Sequence, residues 1–455
     1  MYSLKSIPGF SDIISASPNA RKQIASALNI KCFQWNYKNR KNYTILKYDK
    51  KMLPTAGYDK LGLLRSVIMD ESGKVCCFAP PKSLSESAFN EQFRPNGMKD
   101  NGSEHEDILY TVEEFVDGTM INAFYDVDLQ SWQIATRSSV GAEISFYMEK
   151  GFKQEDTFSY MFYDICKEIK FDINSLDKNL VYSFVMQHPC NRIVKPIKRK
   201  ALYLVEIYRI HNEDLHNQYI TTEVCPEIKD KILSLSTPTL YDFNIKCNDT
   251  KRIDKIRSAY ASKNTRYDIV GVFIKNNLGQ RFKYRNPNYN YVKKLRGNNP
   301  KLQFQYLHLR KDHLVTQYLM YYPEHTELFD GFQQILHDYT RGLYENYVSC
   351  FILKKGNLGD YPEKYQSMMK DVHREIYISR LMHTRERMNL SHVIDYVNTV
   401  PPAKLMFLTN FDMRRNTIQD HVFSHKALVD STAAFPNSID TKVIDDELKP
   451  VSMVS

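Results

Sequence analysis

The chain has 455 residues, 42% of them hydrophobic and 25% charged, with a formal net charge of +9 at pH 7. That length and balance specify two or three packed domains around a large core and exclude a chain disordered throughout. No apolar run approaches the roughly 18 residues of a spanning helix, which predicts a soluble chain with no membrane partner, and the basic excess favours polyanions.

Eight cysteines, Cys32, Cys76, Cys77, Cys166, Cys190, Cys225, Cys247 and Cys350, are scattered without a C-x-x-C pair. With no secretory leader in view, that spacing argues against a zinc site or a disulfide framework and for a reducing, cytoplasmic compartment.

Residues 1–40 read as a helical or irregular lead, with a short helix over Ser17–Leu28 that starts on Ser17-Pro18. From Tyr43 the pattern turns to strands: Tyr43–Tyr48, Leu63–Met69 and Val75–Ala79, with a Glu71-Ser72-Gly73 turn before the last and Pro80-Pro81-Lys82-Ser83 after it. A polar loop fills 85–107. Thr119–Tyr125 and Trp132–Thr136 then predict a hairpin, entered through a tight bend at Asp117-Gly118. A chain that turns at Asp-Gly can hold backbone N–H groups and one side chain against a small anion.

Helical spacing returns between Phe146 and Leu180, and strand patterning at Val181–Gln187 and Leu202–Tyr208, with the basic Lys195–Lys200 between those two strands. Residues 211–262 are polar, carry no motif and read as a linker or a cover. Ile269–Lys275 and Gln280–Arg285 make a last hairpin across an Asn-Asn-Leu-Gly turn. Strand positions two apart share a face, so Lys283 and Arg285 can grip one phosphate.

Residues 281–311 hold nine Lys/Arg, six aromatics and no acid. Cations interleaved with Tyr and Phe are what phosphate contact and base stacking require. Arg281, Lys293, Lys294, Arg296 and Lys301 are the candidate nucleic-acid contacts of this strip, and a solvated linker is the competing reading. From Asp312 the chain reads as helical. Leu328, Phe332, Ile335, Leu336, Tyr339, Leu343 and Tyr347 share one helix face, further helices cover Tyr365–Leu381 and Ser391–Val397, and His373 reads as packing. Residues 425–455 lose periodicity and read as a flexible tail.

Five of these pieces, in order, resemble the covalent nucleotidyltransferases, and within them RNA ligases of the T4 RNA ligase 1 type. They are Arg65-Ser66-Val67-Ile68 with Ala79-Pro80-Pro81-Lys82; Phe115-Val116-Asp117-Gly118-Thr119; Thr136-Arg137-Ser138; Phe184 followed by Pro189-Cys190-Asn191-Arg192-Ile193-Val194; and Val270-Gly271-Val272 with Lys283-Tyr284-Arg285. The resemblance covers residues 43 to 296. It implies an α+β fold, with a nucleotidyltransferase core of ATP-grasp-like antiparallel sheets over 41–297 and an all-helical C-terminal domain over 298–424. It also implies that Arg65, Lys82, Asp117, Gly118, Arg137, Lys283 and Arg285 face the nucleotide or its phosphates.

The departures decide the chemistry that the resemblance implies. In that family a lysine amine attacks the nucleotide α-phosphate and acidic side chains place divalent metals. Here Phe115 stands at the nucleophile, Val185 and Val270 stand at acidic positions, and Ser66 replaces a glycine. The expectation is therefore no catalytic residue, no metal site and no cofactor, with ATP and Mg2+ entering only if Lys82, Lys275 or Lys283 acts as a displaced nucleophile. Three readings stay open. One is a catalytically inactive pseudoenzyme that binds RNA or DNA, similar to RNA ligase-like proteins of nucleocytoplasmic large DNA viruses and placed in the infected-cell cytoplasm or virion. Another is an active ATP-dependent RNA ligase. The third is a virion or assembly scaffold that meets a viral protein through its helical domain.

Overall fold

The computed structural model describes residues 2–37, 41–53, 57–93, 109–145, 154–223, 235–246, 249–276 and 279–416. The chain divides into two compact units, Met1–Gln305 and Tyr306–Ser455. The first is built on antiparallel sheets and the described part of the second is helical, so the fold is α+β.

The strands of the first unit are β1 (Tyr2–Ser3), β2 (Ile30–Tyr37), β3 (Lys41–Tyr48), β4 (Val67–Met69), β5 (Val75–Phe78), β6 (Leu109–Glu114), β7 (Thr119–Asp126), β8 (Ser131–Ala135), β9 (Leu180–Gln187), β10 (Ala201–Asn212), β11 (Gln218–Thr222), β12 (Leu240–Lys246), β13 (Gly271–Asn276) and β14 (Arg281–Arg285). They form a six-stranded sheet in the order β1-β11-β10-β9-β7-β8, a four-stranded sheet β12-β6-β13-β14 and a four-stranded sheet β2-β3-β4-β5.

The six-stranded sheet is covered on both faces, which explains the sequence of its central strand. One face packs Phe124, Val181 and Tyr208 against the β2-to-β5 sheet and the N-terminal helices. The other packs Ile121, Tyr182 and Phe184 against the helix Phe158–Glu168. Every residue of β9, Leu-Val-Tyr-Ser-Phe-Val-Met-Gln, is consequently buried, and alternation vanishes from its sequence. The helix buries Phe158, Met161, Phe162, Ile165 and Cys166 on one stripe, and its N-cap Thr157 accepts a hydrogen bond from Tyr160 N. Burying each of the large apolar side chains contributes about 1.5–3 kcal/mol.

The N-terminal residues are part of this unit. Strand β1 pairs with β11, and Leu4, Ile7, Phe10, Ile13 and Ile14 enter the same core as β3 and β5. The helix Pro18–Ala27 begins after Ser17, and its Arg21 is buried, donating to the carbonyls of Ala16, Ile14, Asp70 and Glu71 and to Thr44 Oγ1. Six cysteines, Cys32, Cys76, Cys77, Cys166, Cys190 and Cys350, are free thiols.

Two local expectations change. Leu61–Leu63 is a 3-10 turn and the strand shortens to Val67–Met69, because Leu63 N and Leu64 N donate locally to Lys60 O and Leu61 O. The stretch read as a linker over 211–262 supplies β11, β12 and the helix Thr250–Tyr260. Strand β12 lies at a sheet edge, is mostly exposed and is interrupted by register shifts, so it carries no period-2 signal to read.

In the second unit, the helix Thr326–Tyr347 buries Phe329, Leu336, Tyr339, Thr340, Leu343 and Tyr347, whereas Leu328 and Ile335 face out. The buried stripe therefore runs one position away from the predicted one at its N-terminal end. His373 stacks on Phe351 at 4.2 Å and its Nδ1 pairs with Tyr347 Oη at 3.0 Å. No helix among the described residues is long and apolar enough to cross a membrane. The tail 425–455 and most of the polar loop 85–107 lie outside the described residues, though Glu86–Phe93 is a helix.

Candidate anion-binding cleft

The alternation of β14, Arg281-Phe282-Lys283-Tyr284-Arg285, sorts its side chains onto two faces. Phe282 and Tyr284 join Tyr110, Val112, Val272 and Ile274 in the core behind the β12-β6-β13-β14 sheet. Arg281, Lys283 and Arg285 face the other way, register-matched to Lys275, Phe273 and Gly271 of β13, while Phe273 in turn pairs with Glu113 of β6. One sheet face thus presents a run of ionic groups and one aromatic ring.

That face forms a wall of a cleft of about 400 Å³. The opposing wall carries Met120 and Val185, cross-strand partners on β7 and β9. Arg65, Lys82 and Arg137 come from the connections that flank β4, β5 and β8, and Lys293 from the helix Pro287–Arg296. The cations expected to meet at one place from the sequence, Arg65, Lys82, Arg137, Lys283 and Arg285, all line it.

The cleft is strongly cationic. None of Arg65, Lys82, Arg137, Lys283 and Arg285 has a carboxylate partner among the described residues, while Lys293 feels the Asp117 carboxylate. Burial pushes the Lys283 ammonium down to about 7, with Arg285, Arg65, Lys82 and Arg281 adding like-charge repulsion. Burial likewise brings Arg65 down to about 10, aided by Arg281. Lys293 is lowered by burial and by Arg285. Arg285 Nε is buried without a hydrogen-bond partner among the described residues. Arg137 is held in place, donating from Nε to Arg65 O at 3.1 Å and lying 4.5 Å over the Tyr48 ring.

Phe115 sits where the resemblance puts the nucleophile. Its ring packs on Phe273 at 4.3 Å, and Lys283 and Arg285 lie 5.5 and 5.1 Å from its centroid. Hydrocarbon and cation therefore share the centre of the cleft, in contacts that desolvation strengthens.

Several expectations are corrected. Asp117 is engaged within the protein. Its carboxylate accepts from Val194 N at 3.4 Å, Lys195 N at 3.0 Å and Tyr289 Oη at 2.7 Å, so it ties two later segments to the bend. Asn191 completes that join by donating to Thr119 Oγ1 at 2.8 Å. Gly118 has φ +149°, and a Cβ there would come 2.5 Å from Met186 O. The glycine is required by this close strand packing. Val270 is buried outside the cleft lining, with its carbonyl accepting from Asn286 N at 3.0 Å. Only Phe115 and Val185 of the three apolar substitutions make the cleft wall apolar.

The strip 281–311 is also not one surface. Arg281 and Lys293 line the cleft, Lys294 and Lys301 are exposed, and Arg296 is buried. Tyr284, Tyr289 and Tyr306 are buried, because a strand and two helices each turn one face inward, so these rings cannot stack on bases.

Acids missed in the sequence stand beside the cations. Glu113 and Glu114 line the cleft. Lys275 bridges Glu113 and Glu206 at 2.6 Å each, and Arg281 lies 3.4 Å from Glu206. Burial opposes the Lys275 charge, but Glu206 and Glu113 outweigh it and hold the ammonium above its ordinary value. Glu114 accepts from Thr239 Oγ1 at 2.8 Å. The signal available was the Glu113-Glu114 pair two residues before Val116, on a strand that the sequence reading did not assign.

No protein-family profile and no curated protein matches this sequence. Among solved structures, an archaeal ATP-dependent RNA ligase is 13% identical with a TM-score of 0.38, the match covering 72% of this chain and 73% of that one. A protein of Aquifex aeolicus described as an ATP-dependent DNA ligase is 14% identical with a TM-score of 0.35, covering 88% of this chain and 79% of that one. A lysine-to-alanine mutant of the Naegleria gruberi RNA ligase with ATP and Mn is 14% identical with a TM-score of 0.28. That match covers 42% of this chain and about half, 53%, of the Naegleria chain.

Proposed function

We propose that the first unit binds RNA or DNA by its phosphates in this cleft, as a ligase-like frame that no longer transfers a nucleotide through position 115. The observation that carries the reading is the convergence on one cleft of Arg65, Lys82, Arg137, Lys283 and Arg285, none of them ion-paired to a carboxylate among the described residues, together with the unpartnered Arg285 Nε. Such a cluster repels itself when empty, and an anion relieves the repulsion. Phe115 offers no nucleophile. The resemblance to RNA ligase-like proteins of large DNA viruses supports a setting in the infected-cell cytoplasm or the virion.

The triphosphate of ATP finds enough cations here, but a divalent metal does not fit the donors present. Glu113 and Glu206 are already held by Lys275, and Glu114 by Thr239. A hard cation at the Glu113 and Glu206 oxygens must first expel a buried ammonium, and Glu114 alone offers it too few ligands.

A second reading has one observation in its favour, the Lys283 amine lowered to about 7 in the same cleft. A neutral amine there can attack an α-phosphorus, form an N–P bond, release pyrophosphate and lose its proton to solvent. Incubation with α-labelled ATP and Mg2+, followed by denaturing electrophoresis, separates the two. The binding reading predicts an unlabelled protein. A labelled band that disappears in Lys283→Ala establishes the ligase reading instead.

A further inference from the structure

A second cavity of about 400 Å³ lies beside the cleft, lined by Tyr2, Ser3, Ser6, Tyr58 and Gln280 among others. It shares two residues with the cleft, Lys82 and Arg281, which line both. Arg281 is fixed in that shared wall. Its guanidinium donates to Pro81 O at 3.1 Å and pairs with Glu206.

Each cavity combines a cation with an aromatic ring. In the cleft these are Lys283 and Arg285 with Phe115 and Phe273. In the second cavity the half-buried ring of Tyr58 lies 3.7 Å from Lys82 Nζ. A volume of this size is at the low end of the roughly 300–1,000 Å³ of ligand pockets, so each cavity suits one nucleotide rather than a duplex.

We propose that the two cavities form one continuous site for a single strand of at least two nucleotides, with a phosphate at the shared Lys82–Arg281 wall and a base beside Tyr58. The inference rests on the phosphate-binding reading of the cleft and adds the length and strandedness of the ligand. A backbone phosphate beside Lys82 leaves the neighbouring base within reach of Tyr58, and base stacking on an aromatic ring is tolerant of sequence.

The test measures equilibrium binding to the full chain at low salt, using uridine 5′-monophosphate, 5′-phosphorylated tetranucleotides of uridine and of thymidine, and a blunt RNA duplex of equal concentration. The single strands should bind at least about tenfold tighter than the mononucleotide. Tyr58→Ala should weaken the tetranucleotides about fivefold or more, and Tyr58→Phe should restore them. Mononucleotide and tetranucleotide binding alike, a duplex binding tighter than either strand, or a correctly folded Tyr58→Ala that binds tetranucleotides normally overturns the two-cavity site. If mononucleotide binding survives that result and still depends on Lys283, the cleft reading stands and only its extension fails. If no ligand binds, both fall.

Discussion

A lysine whose ammonium is destabilised by its surroundings reports directly on whatever anion relieves it. Lys283 titrates near 7 when the cleft is empty, and a bound phosphodiester, which does not itself titrate there, raises that value. Binding must then take up a proton above about pH 7. Affinity for a dinucleotide should fall as pH rises from 6 to 8.5, approaching one log unit per pH unit, and Lys283→Met should flatten the profile. A flat wild-type profile contradicts this assignment. The same shift has a sign for stability. With the folded pKa below the unfolded one, the cost of the buried ammonium is full below pH 7 and is relieved as pH rises from about 7 toward the ordinary lysine value. Lys283→Met should therefore stabilise the empty protein at pH 6, by roughly 1–2 kcal/mol after allowance for solvent screening, and by less at pH 9, as read in thermal melts.

Asp117 shows what the sequence could not disclose at this scale. The Asp-Gly bend was legible, because the dipeptide itself is the signal. Its partners Val194, Lys195 and Tyr289 are 77, 78 and 172 positions away, so nothing local distinguishes a ligand-facing carboxylate from one that ties segments together. Asp117→Ala should cost about 2–4 kcal/mol of stability, through three orphaned donors. It should leave the ligand affinity of the folded fraction near wild type. Lost binding in a protein of unchanged Tm would return Asp117 to the ligand site.

Among elements, the hairpin β13–β14 was readable from alternation alone, and the placement of Lys283 and Arg285 on one face followed from their spacing. Strand β6 was not assigned, although its buried Tyr110 and Val112 alternate with polar neighbours, because its boundaries blend into the polar stretch before it. Missing it meant missing Glu113. The substitutions at Val185 and Val270 suggested that acids had left the site, yet Glu113 and Glu206 stand on neighbouring strands with Lys275 between them. Removing that ammonium exposes a buried carboxylate pair. Lys275→Met should lower Tm, with a loss of about 3–5 kcal/mol, and millimolar Mn2+ should recover part of it while leaving the wild-type melt unmoved. A variant indifferent to Mn2+ would show that the two carboxylates cannot converge on one cation.

For the whole molecule, a net charge of +9 raises the encounter rate with any polyanion, so binding alone does not discriminate a cleft from a diffuse basic surface. Lys294 and Lys301, exposed and outside the cleft, belong to that background. The helical composition of the second unit was legible from its 3.6-residue period, but its exposed Leu328 and Ile335 show that a period alone does not fix which stripe is buried. The discriminating measurement is the salt dependence of single-stranded RNA affinity in the wild type and in Lys283→Ala/Arg285→Ala. Cleft binding predicts a wild-type log–log slope of about −1.4 or steeper, near 0.7 for each neutralised phosphate. The double variant should bind at least about tenfold more weakly, with a slope shallower by nearly one phosphate. Equal affinities and slopes for the two proteins would contradict the cleft as the nucleic-acid site.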